Sequence, residues 1–164
     1  MKKRVSESKV VMTYGILPKD LNSGGSFYGA KLLEFGDHQS GTCAIRHVRG
    51  PVTTAAVDSF EFLKPFQKGD FITVETFVSG VGNESLEIFN KFIGEKPRTG
   101  EKYLGAIAFF TFKAKGLNEG EKIPDIIPET EEEAFIMDGY PDRREAVKNK
   151  RIRNKKIQEI IRLS

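Results

Sequence analysis

Apolar and polar residues recur with two different spacings along the chain, and these spacings separate its elements. Residues 28–48 carry apolar positions three and four apart, which predicts one long helix. Strands are predicted for residues 5–16, 52–62, 71–78, 86–93 and 104–112, which are rich in Val, Ile, Phe and Thr. Short turns join the last four strands. This order predicts an α+β fold in which one helix packs against one antiparallel sheet.

The predicted helix contains two glycines where alanine would be more favourable. Gly36 and Gly41 each cost about 1 kcal/mol relative to alanine in a helix interior. Glycine is typical of positions where another backbone approaches closely. We therefore expect a curved sheet to wrap around this helix.

The chain changes character after residue 113, where it becomes rich in glycine and charge. Two prolines predict an extended segment at residues 123–128. Thr130 and three glutamates then predict the start of a helix over residues 129–137, and the stretch from residue 141 is also expected to be helical. We divide the chain into a domain at residues 1–128 and a charged helical extension at residues 129–164. A single sheet with one helix leaves a sheet edge or face uncovered, which favours a homo-oligomer.

Composition limits the classes of protein that the chain can belong to. Its 164 residues are enough for one domain, and 38% hydrophobic against 30% charged residues is a globular balance. No apolar run is long enough for a membrane span, and the polar N-terminal region contains no secretory signal. A single cysteine excludes a disulfide framework, and two histidines leave little to bind zinc, so we expect a cytoplasmic protein without a metal.

The net charge of +3 is unevenly distributed. Residues 141–164 contain nine Lys/Arg and three Asp/Glu, a local charge of +6, whereas the rest of the chain is mildly acidic. A basic stretch of this kind is either a solvated helix face or a contact surface for a phosphate-bearing ligand or nucleic acid.

A glycine-rich loop leads directly into the predicted long helix. Its sequence, GGSFYG at residues 24–29, lacks the strand–turn–helix context of a dinucleotide site. The N–H groups at such a helix N-terminus can hold a phosphate or the oxyanion of a tetrahedral intermediate. The alternative is a plain flexible entry to the helix.

Asp37 is the most informative single residue. It lies on a helical stripe that is otherwise small and apolar, formed by Ala30, Leu33, Gly41 and Ala44. A carboxylate there acts as a general base or nucleophile in a partly desolvated cleft, or it is a structural acid bonded to a neighbouring backbone or to Arg46.

Other polar residues have two interpretations each. Asn22 either stabilises its own turn or holds a carbonyl or a water with its amide. Ser85, after a predicted hairpin, is an ordinary strand residue or an accessory site residue. His38, His47 and Cys43 favour structural roles, with His47 suited as a cation to the helix end and Cys43 to a buried core.

Several motifs together resemble the hotdog-fold acyl-CoA thioesterases, in the bacterial branch related to the cytosolic (brain) acyl-CoA hydrolase. The opening DLNSGGSFYGA at residues 20–30, followed by Asp37, is similar to that family's D-x-N-x-x-G-x-x-F-G-G…D pattern. Further matches follow in the family's order: Arg46-His47, TAAVDSFEFL at residues 54–63, Gly69-Asp70, GNESLEI at residues 82–88, and the later Phe110-Thr111-Phe112 and Ile123-Pro124.

The resemblance implies a fold, an assembly and a set of roles. It implies a sheet wrapped around a central helix, paired protomers with the active site at their interface, and a hexamer built as a trimer of dimers. It implies that Asp37 is the general base or nucleophile, that Gly29 and Ala30 supply an oxyanion N–H, and that Asn22 and Ser85 assist. The implied substrate is acyl-CoA, with no cofactor and no metal.

The predicted function is therefore hydrolysis of acyl-CoA to a free acid and CoA. Arg143 and Arg144 of the basic tail are predicted to contact the CoA phosphates. The alternative is a non-catalytic hotdog module that binds acyl-CoA or another nucleotide and regulates a partner. A hotdog dehydratase is disfavoured because neither histidine is well placed beside an acid, and nucleic acid is not an expected partner of the thioesterase.

Overall fold

The computed structural model describes residues 1–118 and 120–163 of the chain. Its elements, in order, are β1 (Lys2–Arg4), β2 (Val10–Gly15), α1 (Gly29–Val48), β3 (Val52–Phe62), β4 (Phe71–Val81), β5 (Ser85–Glu95), β6 (Lys102–Ala114), β7 (Asp125–Ile127), α2 (Glu131–Asp138) and α3 (Tyr140–Ile160). None of the described helices is long and apolar enough to cross a membrane.

One antiparallel sheet has the strand order β2-β4-β5-β6-β3, and α1 packs across one of its faces. This arrangement confirms the predicted α+β fold. The predicted strand at residues 52–62 coincides with β3, and the predicted helix at residues 28–48 begins one residue later. The first predicted strand is wrong in its first half, because residues 5–7 form a 3-10 turn and β2 begins only at Val10.

The main core lies between α1 and the sheet. Its members are buried apolar side chains from both layers, among them Leu32, Cys43 and Ala44 of the helix and Phe92, Phe110 and Phe112 of the strands. Each large side chain contributes about 1.5–3 kcal/mol to stability on burial. This layer fixes the position of α1, and therefore of the candidate residues along it.

Gly36 gives α1 its close fit to the sheet, although the reason differs from the prediction. A Cβ added at Gly36 would lie 3.0 Å from the Phe110 ring and 3.3 Å from the Phe92 ring. Two aromatic side chains, and not another backbone, therefore require glycine at this position. At Gly41 the added Cβ would make an ordinary 3.6 Å contact with Phe112, so crowding there is mild.

The opposite face of the sheet is covered by α2. Ile136 and Met137 of this helix pack on Phe77 and Phe89 of the sheet. The helix begins as predicted, because the Thr130 hydroxyl accepts the N–H of Glu133 at 3.1 Å while the Glu133 carboxylate accepts the N–H of Thr130 at 3.2 Å. In contrast, α3 has no buried residue among those described.

A small pair of strands stands apart from the main sheet, and β3 forms one edge of that sheet. β1 and β7 form a separate parallel pair that joins the N-terminal residues to the segment before α2. β3 hydrogen-bonds to β6 along one edge, and its other edge meets no strand in residues 1–118 and 120–163. An unpaired edge of 11 residues is long enough to pair with another chain.

Candidate active site

The loop before α1 is organised by one buried carboxylate. The side chain of Asp20 accepts hydrogen bonds from the Tyr14 hydroxyl at 2.7 Å and the Leu17 N–H at 2.9 Å, and it pairs with the ammonium of Lys31. The hydrogen bond from Lys31, together with that from Tyr14, lowers the pKa of Asp20 to about 2 despite burial. Asp20 therefore remains charged at neutral pH and ties the loop to β2 and α1.

Asn22 lies in this loop with its amide oxygen bound to the loop's own backbone. The Oδ1 atom accepts the N–H of Gly24 at 2.9 Å and of Ser26 at 3.2 Å, which is an Asx turn. The Nδ2 atom donates to the Ser26 hydroxyl at 3.2 Å, and the residue is exposed. The loop thus fixes the direction of the Asn22 amide, whose second Nδ2 hydrogen can meet a ligand.

The entry to α1 provides backbone donors. The N-cap residue Tyr28 makes no side-chain capping bond, and its own N–H is held by the carbonyl of Asp20 at 2.9 Å. The first N–H groups of a helix have no partner within the helix, so those of Gly29 and Ala30 are suited to bind an anionic or polarised oxygen. The ring of Phe62 packs 3.4 Å from the position of a Cβ on Gly29 and forms one wall of this entry.

Asp37 is held by a threonine on the neighbouring strand. The Thr54 hydroxyl of β3 donates to Oδ1 of Asp37 at 2.7 Å, so the second carboxylate oxygen is free for another partner. Arg46 is not this partner. Asp37 is exposed in the single chain, and the partly desolvated cleft that the sequence predicts around it does not form within one copy.

Ser85 and Arg144 lie in a different place, on the face of the sheet away from α1. They line a cleft of about 780 Å³ between α3 and strands β3, β5 and β6. Arg143 is turned away from this cleft: its guanidinium binds the Glu87 carboxylate at 2.8 Å and the Ile136 carbonyl at 2.7 Å, and it lies 4.3 Å over the Phe109 ring.

The single chain therefore gathers the predicted residues into three groups. Asn22 lies in the loop that leads into the Gly29–Ala30 helix entry, and Asp37 pairs with Thr54 about 12 Å farther along α1. Ser85 lies on the other face of the sheet, where it lines the cleft beside α3. No group of three or more potential metal ligands occurs within the part of the chain that the structure describes. Chemistry at these groups would rest on a carboxylate, a hydroxyl and backbone N–H donors.

Thr54 is the residue that the sequence did not single out. It stands at the start of the TAAVDSFEF segment, and only the packing of β3 beside α1 brings its hydroxyl to Asp37. A threonine on a strand is too common to indicate a site by itself.

Several known proteins with similar sequences carry the name of thioester hydrolases. The model of the thioesterase superfamily matches residues 24–101. The uncharacterized acyl-CoA thioester hydrolase YkhA of Bacillus subtilis is 38% identical over 146 residues, which cover 88% of this chain and 85% of YkhA. The cytosolic acyl coenzyme A thioester hydrolase of Rattus norvegicus is 30% identical over 79% of this chain, which spans only 35% of that longer protein.

Solved structures agree with this likeness. The acyl-CoA hydrolase of Staphylococcus aureus, solved with butyryl coenzyme A and coenzyme A, has a TM-score of 0.90 and 31% identity, covering 97% of this chain and 98% of that one. Alanine variants of an aspartate, a threonine and an asparagine of that enzyme have also been solved. An apo-hexameric acyl-CoA thioesterase has a TM-score of 0.82 at 29% identity, covering 99% of both chains.

Proposed function

Because the chain belongs to the acyl-CoA thioester hydrolases of the thioesterase superfamily, we propose that it hydrolyses acyl-CoA to a free carboxylic acid and CoA. The observation that carries the proposal is the Asp37–Thr54 pair, a carboxylate held in one orientation beside the exposed edge of the sheet. The single cysteine, Cys43, is a buried free thiol, as suits a reducing cytoplasm, where we place the activity.

Residue spacing supports the same assignment. The asparagine, aspartate and threonine altered in the Staphylococcus aureus enzyme follow one another at intervals of 15 and 17 residues. Asn22, Asp37 and Thr54 have the same intervals in this chain. We therefore assign these three side chains to one catalytic group.

In the proposed reaction, Asp37 acts on the thioester carbonyl through its free oxygen. As a general base, it takes a proton from water while the water oxygen attacks the carbonyl carbon; as a nucleophile, it attacks the carbonyl itself and the acyl-enzyme is then hydrolysed. The carbonyl oxygen becomes an oxyanion, which the N–H groups of Gly29 and Ala30 stabilise. Collapse of the tetrahedral intermediate expels the CoA thiolate.

Supporting residues orient these groups. Thr54 fixes the Asp37 carboxylate, and we propose that the Asn22 amide positions the carbonyl or the water. Ser85, far from Asp37 within one chain, would act only from another copy. No metal or cofactor takes part in these steps.

We further propose that the site is shared between two copies joined along β3. Along β3, Thr54 contacts Asp37 and Phe62 packs beside the helix entry, and the same strand exposes the apolar side chains Val57 and Phe62. Pairing two such edges would bury this surface and complete the cleft around Asp37. The expected assembly is a hexamer formed by three such dimers.

The test measures the hydrolysis of acyl-CoA substrates of several chain lengths, with release of the CoA thiol as the signal. Asp37→Asn should lower kcat about 10²–10⁴-fold while binding of CoA is retained. Asp125→Asn, an exposed carboxylate on β7, is the matched control and should keep wild-type kcat. A kcat for Asp37→Asn above one third of wild type would refute the role of Asp37. CoA binding without hydrolysis by the wild-type chain would favour the regulatory module instead.

A further inference from the structure

The helix α3 carries a narrow stripe of positive charge along one side. Arg144, Lys148, Arg151 and Lys155 are spaced four, three and four residues apart. Four side chains at these intervals fall within about 60° of the helix circumference and extend over about 16 Å. All four are exposed, and all four line the 780 Å³ cleft.

The opposite wall of the cleft is the sheet face that points away from α1. Thr111 lies there between Phe110 and Phe112, whose side chains belong to the core on the α1 side. Ala55 and Ala56 of β3 and Ser85 of β5 complete this wall with small side chains. The wall thus offers the Ser85 hydroxyl and open space to a ligand.

The acidic groups near this cleft are already engaged. Glu87 is bound by Arg143 through a paired contact of 2.8 and 3.1 Å. Asp58 accepts the Thr111 hydroxyl at 2.5 Å beside the cleft floor, and it also lies close enough to interact with the charges of Arg151 and Lys150 without forming an ion pair with them. None of the four stripe residues forms an ion pair with residues 1–118 or 120–163, and four cations against the nearby carboxylate of Asp58 leave a net positive charge facing the cleft.

We infer that the cleft between α3 and the outer sheet face binds the phosphate groups of a nucleotide. Two or more phosphates at different points along a ligand match a row of cations of this length, and each phosphate accepts several charge-assisted hydrogen bonds. The ligand has two sources, a free nucleotide or the nucleotide end of CoA, and only the second rests on the proposed function. The cleft and Asp37 lie on opposite faces of the sheet, so CoA bound here would reach a catalytic carboxylate only around the β3 edge or on another copy.

Two double variants with equal loss of charge test the inference. Arg151→Gln/Lys155→Gln removes two cations from the stripe, whereas Arg153→Gln/Lys156→Gln removes two from the far side of the same helix. Adenosine 3′,5′-bisphosphate and ADP are titrated into each protein by calorimetry, without any turnover. We expect affinity to fall about ten-fold or more in the stripe variant and to stay near wild type in the control.

The kinetic arms of the experiment distinguish the two sources. If the phosphates belong to CoA, the stripe variant raises KM for acyl-CoA but not for acyl-pantetheine, and adenosine 3′,5′-bisphosphate competes with acyl-CoA. If they belong to a free nucleotide, the stripe variant loses nucleotide binding with KM unchanged. Equal nucleotide affinities in the two variants would overturn the inference, as would binding of a DNA duplex by a protein that binds neither nucleotide. Loss of hydrolysis with nucleotide binding intact would instead count against the proposed function alone.

Discussion

His47 shows how an ionisable side chain is kept neutral inside this protein. It is fully buried at the end of α1, with Nε2 at 2.7 Å from the carbonyl of Pro124 and Nδ1 at 3.5 Å from the hydroxyl of Ser8. A carbonyl can only accept, so Nε2 carries the proton and Nδ1 is the acceptor. The charged role that the sequence suggests for His47 is wrong, since the helix end is capped by the ammonium of Lys3, which donates to the His47 carbonyl at 2.6 Å.

Burial of His47 predicts a pH dependence of stability. Burial lowers the pKa of His47 below its usual 6.5, so the unfolded chain takes up this proton first as pH falls. Stability is therefore full above about pH 6.5 and decreases below it, by at most about 1.4 kcal/mol per pH unit for one proton, until the pKa of the folded state is reached.

Urea unfolding at pH 7 and pH 5 measures this effect. His47→Gln should lose less free energy of unfolding over that interval than wild type. His38→Gln, which removes the exposed histidine of the same helix, should behave as wild type. An undiminished pH dependence in His47→Gln would show that other groups are responsible.

At the level of single residues, the sequence singled out Asp37 and Asn22, whose catalytic roles stay predictions, but it did not indicate the contacts that these residues make. Asp37 stood out because a lone acid on a small apolar stripe is unusual, whereas Asn22 stood out only through the motif that resembles the thioesterases, since asparagine is common in turns. Thr54 did not, because its importance arises from the distance to Asp37 across two elements. The aromatic rings that require glycine at Gly36 come from strands more than 50 residues later, so their approach is not encoded near the glycine itself.

Among the elements, α3 is joined to the rest of the protein by few contacts at its first turn. The Tyr140 ring lies against Gly80, where an added Cβ would be 2.2 Å from it. Arg143 then binds the buried Glu87 carboxylate, and beyond this turn the helix exposes most of its side chains. Arg143 therefore serves as the anchor of α3.

Removal of this anchor should release α3. Arg143→Met leaves the Glu87 carboxylate buried with the Ser79 hydroxyl but without its cationic partner, at a cost of about 3 kcal/mol. Trypsin should then cleave within α3 at least ten-fold faster, because the helix opens more often. Arg153→Met, which removes another trypsin site and an exposed arginine, is the control and should be cleaved at the wild-type rate. Equal cleavage of both variants would place the anchor elsewhere.

Elements with strong local patterns were predicted well. The boundaries of β3 follow from its Val- and Thr-rich run, and the start of α2 follows from Thr130 and its glutamates. The pairing of β1 with β7 was not predicted, because each strand has only three residues and no alternating pattern. Such short segments form strands only when tertiary contacts bring them together.

At the scale of the whole molecule, the proposed site depends on more than one chain. Asn22 and the Asp37–Thr54 pair belong to separate groups within one copy. The outer edge of β3, which carries Thr54, is paired with no strand in the described part of the chain. A dimer along this edge has a two-fold axis, so it contains two equivalent sites. The resemblance assigns Asn22 and Asp37 of each site to different copies.

Mixing two inactive variants tests this shared site. Asn22→Ala and Asp37→Ala proteins are unfolded and refolded together in equal amounts, so about half of the dimers contain one of each. In such a dimer one site carries both substitutions and the other carries neither. About a quarter of all sites should therefore recover full activity, by the same symmetry.

Wild-type protein that is unfolded and refolded separately under the same conditions gives the yield of active protein. Two differently tagged chains confirm that copies have exchanged. No recovery despite exchange would mean that both residues act within one chain, because every site would then retain one substitution. The assignment of Asp37 would be unaffected by that result.

The parallel pairing of β1 with β7 also sets the order in which the protein can be completed during synthesis. Lys2 pairs with Asp125 and Arg4 with Ile127, so the partner strand is made 123 residues after the first. At about 5–20 residues per second, the first strand waits roughly 6–25 s after its own translation. Lys3 can meet the end of α1 much earlier, since the carbonyl of His47 is only 44 residues away. The N-terminal segment is thus held by α1 first and closed by β7 last, when the chain that forms α2 and α3 is about to emerge.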